Sequence, residues 1–240
     1  RDFLVPARVH PGEYYALPQS PQIFKQILMI AGFDRYVQIA RCFRDEALRA
    51  DRQLEFTQVD LEVSFATPPL IYEIVEGALV ACFKEIGVTV PTPFRRMTYA
   101  TAMAKYGSDK PDLRFGLEIQ DFGPLFKDSP FGIFREAIEH GGTVRGFVIP
   151  GAAKYSRKQV DDLVDLAKQA GAGGLIYTRY TAEGVQVSAK AIGEDGARKV
   201  LEASGASKED LLVLASGAPD NASKILGQLR LLVAKKENLI

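Results

Sequence analysis

The sequence predicts an α+β fold with two domains. Residues 36–44 and 55–65 have the alternation of strands and flank a polar loop, which indicates an antiparallel hairpin. From residue 116 to residue 228, strands and helices follow one another as β-α-β-β-α-β-α. That segment has the size of an ordinary compact domain, about 110 residues.

Composition is that of a globular protein. The 240 residues include 47% hydrophobic residues, and 30 basic residues balance 30 acidic ones. The balance lacks the overall basic excess that is typical of nucleic-acid binders, although local patches remain compatible with such binding. No apolar run approaches the ~20 residues of a membrane span, so we expect a soluble cytoplasmic protein without membrane contact.

Cysteine and histidine are scarce. Cys42, Cys82, His10 and His140 lack metal-ligand spacing, so we expect no Cys/His metal site and two reduced, buried thiols.

The first half begins with extended segments over residues 1–19. Ser20 is suited to an N-cap and Pro21 to the first position of a helix that Gly32 ends. Helical spacing continues over 68–86, and a shorter helix is expected over 98–106.

The turn-rich stretch 107–116 separates the two halves. In the second half we expect strands at 144–149, 174–180, 185–189 and 211–215, and helices after Ser156, from about 194 to 203, and after Asp220.

Each strand of the predicted hairpin has one polar face, and a common binding site requires that the two faces coincide. Gln58, Asp60 and Glu62 alternate with apolar residues, and Gln38 and Arg44 share one parity on the partner strand. This pattern is compatible with a merely solvated sheet face. An arginine beside carboxylates and amides is also suited to binding a phosphate or a carboxylate through paired hydrogen bonds.

Two further segments carry candidate ligand groups. Gln22 and Lys25 are three residues apart and share one helix face, where an amide and an ammonium could hold a small polar ligand. Arg49 and Arg52 lie in the loop between the hairpin strands, a common place for function. Both features also occur on ordinary solvated surfaces.

These segments resemble a known family. ALPQSPQIFKQ (16–26) and RCFRDEALRADRQLEFTQVD (41–60) are similar to the bacterial and organellar aspartyl-tRNA synthetases, with FRDE opening motif 2 of the class II enzymes. GSDKPDLR (107–114) resembles the point where bacterial members enter an inserted α+β domain. Ala47 and Leu54 depart from the pattern, which has an acid and a proline there.

The resemblance implies roles for individual residues. Those implied to bind L-aspartate are Gln22, Lys25, Arg44, Gln58 and Asp60. ATP is implied to contact Arg44, Glu46 and Gln53, with Arg44 on the α-phosphate as the catalytic group and Mg²⁺ held through phosphate oxygens. Arg49 and Arg52 are implied to meet the tRNA acceptor end, and Arg1 and Asp2 to end a loop that closes over aspartate.

The resemblance also implies an organisation. Residues 1–115 would be a partial class II catalytic domain, 116–228 the inserted domain of the type called GAD, and 229–240 the return to the catalytic domain. Motifs 1 and 3 are absent from this sequence, so the chain alone is expected to be inactive. The full-length homodimer is expected to charge tRNA-Asp, with tRNA-Asn left open.

Three other interpretations remain at this stage. The chain could be a non-catalytic module that binds RNA or a partner protein, a related class II synthetase with another substrate, or an amidotransferase subunit that carries a similar insertion. Retention of Arg44, Glu46 and Asp60 weighs against the first.

Overall fold

The computed structural model describes residues 2–49 and 52–240. The chain forms two compact units, Arg1–Arg95 and Arg96–Ile240. The division lies before the turn-rich stretch 107–116, because the helix over 99–106 packs within the second unit. The domain limits 1–115, 116–228 and 229–240 stay predictions.

The first unit contains two antiparallel ribbons and two helices. Its elements are β1 (Phe3–Pro6), β2 (Tyr14–Leu17), α1 (Gln22–Ile30), β3 (Arg35–Phe43), β4 (Glu55–Val63) and α2 (Pro68–Glu85). Helix α1 begins later than expected. Pro21 is its N-cap and no side chain caps it, so the expected cap at Ser20 is wrong. Gly32 has a φ of 91°, which agrees with the expected left-handed end of this helix.

The second unit is built around a five-stranded sheet. Its elements are α3 (Tyr99–Tyr106), β5 (Gln120–Asp121), α4 (Gly132–Glu139), β6 (Thr143–Ile149), α5 (Arg157–Gln169), β7 (Ile176–Thr181), β8 (Gly184–Val187), α6 (Gly193–Ser204), β9 (Leu211–Gly217) and α7 (Pro219–Lys236). The sequence prediction missed β5 and α4. The strands lie in the order β5-β6-β9-β7-β8, and every neighbouring pair is antiparallel.

Both faces of this sheet are buried. The central strand β9 shows why, since its residues alternate between two clusters. Val213 belongs to a cluster with residues of α5 and α7, whereas Leu212 and Leu214 belong to one with residues of α4 and α6. The second unit is therefore a three-layer arrangement with its own apolar core.

Helix α3 and the turn-rich stretch are fixed to α7. A Cβ added at Gly107 would lie 1.9 Å from the carbonyl oxygen of Ser223, so only glycine permits this approach. Arg230 of α7 is 1% exposed, and its guanidinium donates to the carbonyls of Asp112, Gly116 and Leu117. These contacts explain why the structural division lies ahead of α3.

Helix length and the two thiols are the features that concern the expectations from composition. Within residues 2–49 and 52–240, no helix is long and apolar enough to cross a membrane. Cys42 is buried but Cys82 is exposed, so the expectation of two buried thiols is wrong for Cys82. Its position on α2, which buries none of its residues, explains the error.

Candidate functional site

The even-numbered side chains of β3 and β4 share one face of the hairpin. The antiparallel register sets Gln38 opposite Asp60 and Ala40 opposite Gln58. Beyond the ends of the strands, the backbone N–H of Arg44 still donates to the carbonyl of Leu54 at 2.8 Å. The two polar faces that the sequence predicts therefore coincide.

Lys25 of α1 reaches one end of this face. Its Nζ lies 2.9 Å from Oδ1 of Asp60 and 2.7 Å from Oε1 of Glu62. The hydrogen bonds to Glu62 and Asp60 raise the pKa of Lys25 although burial opposes the shift, so the ammonium stays charged. One cation is shared by two carboxylates, which leaves a net negative charge at this end of the face.

Asp60 has unused hydrogen-bonding capacity. Its side chain is only 12% exposed, and its Oδ2 is buried without a hydrogen-bond partner among the described residues. An unpaired buried carboxylate oxygen is costly, and such groups call for an explanation in terms of function or an absent ligand. Oδ2 is an acceptor available to a donor that binds beside Lys25.

Arg44 lies at the opposite end of the face. Its guanidinium lies over the ring of Phe56, 5.2 Å from the ring centroid, and its Nε is 3.4 Å from the carbonyl oxygen of Gln19. Stacking on a ring limits the motion of the guanidinium and leaves most of its donors for a ligand.

A cavity of about 800 Å³ opens beside Arg44. Its lining combines an arginine pair, an acid, an amide and an aromatic ring, and comprises Arg44, Glu46, Ala47, Leu48, Arg52, Gln53, Leu54 and Phe56. The guanidinium of Arg52 lies 3.6 Å from the carboxylate of Glu46. This volume is within the range of small-molecule sites, about 300–1,000 Å³.

A smaller cavity of about 410 Å³ lies beside Lys25. Its lining combines polar and apolar side chains of α1 with the carboxylate of Glu62. The residues are Gln22, Lys25, Gln26, Met29, Ile30 and Glu62. The two cavities thus lie at the two candidate ends of the polar face.

The structure brings together most of the residues that the sequence singles out. Gln58 lies between the two ends, and its Oε1 is 3.1 Å from the thiol of Cys42. Arg52 lines the cavity with Gln53, whereas Arg49 is exposed on the loop and does not line it. Asp2 is exposed, and Arg1 lies outside the described residues.

Sequence reasoning left three members of this face without a ligand role. Parity had already placed Glu62 and Gln38 on the polar face, and the same parity would have added Phe56. The contact between Phe56 and Arg44 depends on the course of the loop, which no periodicity reveals.

Comparison with known proteins identifies the family. The family described as tRNA synthetases class II (D, K and N) matches residues 1–233. The chain belongs to this class II family. A protein from Caldanaerobacter subterraneus named aspartate–tRNA(Asp/Asn) ligase is 49% identical over 242 residues, which cover 100% of this chain and 41% of that protein.

Other class II relatives give the same picture. An aspartate–tRNA(Asp/Asn) ligase of Thermodesulfovibrio yellowstonii is 50% identical over 240 residues, and an aspartate–tRNA ligase of Clostridium kluyveri is 48% identical over 242. Each alignment covers 100% of this chain and about two fifths of the relative, 40% and 41%. The chain therefore spans less than half the length of the class II synthetases that it matches.

Proposed function

We propose that the full-length protein carrying this chain is an aspartate–tRNA ligase, and that the even-numbered face of β3 and β4 holds its aspartyl-adenylate. One observation carries the proposal: Arg44 lies just beyond one end of the even-numbered face of the hairpin, and towards the other end Asp60 of that face pairs with Lys25 of α1. In an aminoacyl-adenylate a phosphate joins the amino acid to adenosine, so the amino acid and the phosphate follow one another in the same order as these charged groups.

The amino-acid end has complementary charge for aspartate. Asp60 Oδ2 is a buried acceptor for the ammonium of the substrate, and Lys25 is a cation for its side-chain carboxylate. Aspartate can bind without breaking the contact between Lys25 and Asp60, because its ammonium takes the unpaired Oδ2 and the third N–H of Lys25 remains for its side-chain carboxylate. Gln22 and Gln58 supply neutral hydrogen bonds on either side.

The nucleotide end is the cavity beside Arg44. The guanidinium is suited to bind the α-phosphate of ATP, since Arg forms paired hydrogen bonds with phosphate oxygens. Glu46 and Gln53 line the same cavity and provide polar contacts for the base and ribose. The ring of Phe56 packs against the guanidinium and limits its motion.

The reaction that this arrangement supports has two steps. An α-carboxylate oxygen of aspartate attacks the α-phosphorus of ATP, and the bond to the departing pyrophosphate breaks. A hydroxyl of the terminal tRNA ribose then attacks the acyl carbon, and AMP leaves with the bonding electrons. Arg44 acts through charge, because negative charge builds on the α-phosphate oxygens during the first step. The remaining groups act by positioning.

Magnesium is expected to accompany ATP, but the described side chains do not form an ion site by themselves. Residues 2–49 and 52–240 contain no group of three or more His, Cys, Asp or Glu residues that could hold a metal ion. Asp60 and Glu62 are both engaged by Lys25. The metal would be held chiefly by phosphate oxygens and water, as Mg²⁺ commonly is.

The proposal also includes a contact with the tRNA acceptor end. Arg49 is exposed on the loop after Arg44 and is suited to a phosphate of the tRNA acceptor end. Arg52 lines the cavity instead, so we assign it to the nucleotide as well as to the acceptor end. Charging of tRNA-Asp, and the homodimer expected of the full-length protein, stay predictions.

The test is amino-acid-dependent exchange of pyrophosphate into ATP by the full-length protein. We expect exchange with aspartate and not with asparagine or lysine. Arg44→Ala should slow it by at least ~100-fold, the scale of losing one transition-state charge contact. Arg41→Ala is the matched control, because Arg41 lies on the odd-numbered face of the same strand. Near-normal exchange in Arg44→Ala, or no exchange with aspartate in the unaltered protein, would refute the proposal.

A further inference from the structure

Two polar residues of β3 extend the amino-acid end of the face beyond Asp60. Tyr36 is paired with Glu62 and Gln38 with Asp60 in the register of the hairpin. Directly opposed side chains on one face have Cβ atoms about 5 Å apart, so both residues border the carboxylates that bind Lys25.

Tyr36 sets the orientation of the Gln38 amide. The hydroxyl of Tyr36 donates to Oε1 of Gln38 at 2.6 Å, and residues two apart on a strand share a face. The acceptor side of the amide is therefore occupied. Its Nε2, with two N–H donors, makes no hydrogen bond within the described part of the chain and faces away from Tyr36.

The surroundings of Tyr36 favour the protonated form of its hydroxyl. Burial raises the pKa of Tyr36, and the charge of Asp60 adds to the shift more than Lys25 opposes it. A protonated phenol is a hydrogen-bond donor at neutral pH. The Tyr36 hydroxyl therefore continues to bind Oε1 of Gln38, and Nε2 stays on the side away from Tyr36.

We propose that Gln38 is an additional binding residue of the amino-acid site, whose Nε2 donates to the side-chain carboxylate of bound aspartate, and that Tyr36 is the positioning residue that aims it. The inference rests on the proposed function. Gln38 is at the amino-acid end of the face, away from Arg44 and opposite Asp60. Its Nε2 is a donor, so it is suited to the side-chain carboxylate and not to the ammonium, which is itself a donor. Lys25 supplies a charge there, and Gln38 adds a directional hydrogen bond.

The test compares glutamine variants in the full-length protein by aspartate-dependent pyrophosphate exchange. Gln38→Met should raise the KM for aspartate about 10-fold, the scale of one hydrogen bond to a charged group, and leave the KM for ATP nearly unchanged. Gln38→Glu should raise the aspartate KM further, because a carboxylate repels an acidic side chain. Inhibition by asparagine, whose side chain is neutral, should weaken less in Gln38→Glu than aspartate binding does.

Tyr36→Phe tests the positioning role. It removes only the hydroxyl, and should raise the KM for aspartate by a smaller factor than Gln38→Met with little change in kcat. In Gln38→Met the further change Tyr36→Phe should have no additional effect, since the amide that Tyr36 orients is gone. A purely structural role would give additive losses instead.

The controls separate this inference from the function on which it rests. Gln186→Met and Gln186→Glu change an exposed strand glutamine of the second unit and should leave both KM values unchanged. An unaltered protein that exchanges pyrophosphate with aspartate, together with Gln38 variants of normal aspartate KM, would overturn the inference alone. An unaltered protein without aspartate-dependent exchange would overturn the proposed function itself.

Discussion

The two units use their side chains in opposite ways. The second unit buries two apolar clusters on the two faces of its sheet. In the first unit only Pro21, Ala40 and Cys42 are buried among the described residues, while many large apolar side chains are exposed. The first unit instead has a partly buried charge cluster, with Lys25 between two carboxylates.

This difference assigns stability mainly to the second unit and ligand binding to the first. Burial of apolar area stabilises the second unit, since each buried aliphatic or aromatic side chain contributes about 1.5–3 kcal/mol relative to exposure. Partly buried charges with an unpaired acceptor, such as Asp60 in the first unit, stabilise little and are common at functional sites. Substitutions in the second unit should therefore change unfolding, and those on the polar face should change ligand binding.

The largest effect should come from the core of the second unit. Phe147 is 0% exposed in the cluster with α5 and α7. We expect Phe147→Ala to lower the free energy of unfolding of the 240-residue chain by about 3–5 kcal/mol, because the side chain leaves a cavity. Urea unfolding followed by circular dichroism measures this, since the chain has no tryptophan.

The control for Phe147 is an apolar strand residue of the first unit. Ile39 is 74% exposed, so Ile39→Ala should change the free energy of unfolding by no more than about 0.5 kcal/mol. Equal losses at the two positions would show that the contrast between the units is wrong.

A smaller, ligand-specific effect is expected at Lys25. Lys25→Met should raise the KM for aspartate roughly 10- to 100-fold, the range for a charge-assisted hydrogen bond, and change the KM for ATP far less. Lys84→Met at the end of α2 is the matched control, since Lys84 is exposed. Equal increases in the KM values for aspartate and ATP in steady-state exchange would show that Lys25 does not bind the amino acid.

The smallest effect is electrostatic and lies in the second unit. Hydrogen bonds from Arg114 lower the pKa of Asp112 to about 2. A lowered carboxyl pKa means that this contact stabilises the fold above the ordinary pKa, near 3.8, and is lost as the pH falls through about 2. NMR titration should show the pKa of Asp112 returning towards its ordinary value in Arg114→Gln. An unchanged pKa would contradict the assigned cause.

Much of the fold follows from periodicity. The strict alternation of β4 predicts both its strand and its polar face, and Gly32 correctly marks the end of α1 with a φ of 91°. The sequence did not predict helix α4, because this helix is short and no side chain caps it. The sequence also did not predict that the division between the units lies before α3, because the contact of Gly107 with α7 joins residues far apart in sequence.

The candidate site was partly predictable for the same reason. Parity placed Gln58 and Asp60 on the polar face of one strand and Arg44 on that of the other, and the register shows that the two faces coincide. Parity does not give the unpaired Oδ2 of Asp60, the hydrogen bond between Tyr36 and Gln38, or the ring of Phe56 beneath Arg44. Those features depend on rotamers and on the course of the loop, which tertiary packing decides.

The most direct test of the account is calorimetric binding of a non-hydrolysable aspartyl-adenylate analogue to the full-length protein. If the even-numbered face of the hairpin holds both the amino acid and the phosphate of the adenylate, Arg44→Ala and Asp60→Asn should each weaken binding by at least about 10-fold, as loss of a charge-assisted hydrogen bond predicts, while Arg41→Ala on the opposite face binds normally. Unweakened binding in Arg44→Ala and Asp60→Asn, or an equal loss in Arg41→Ala, would contradict it.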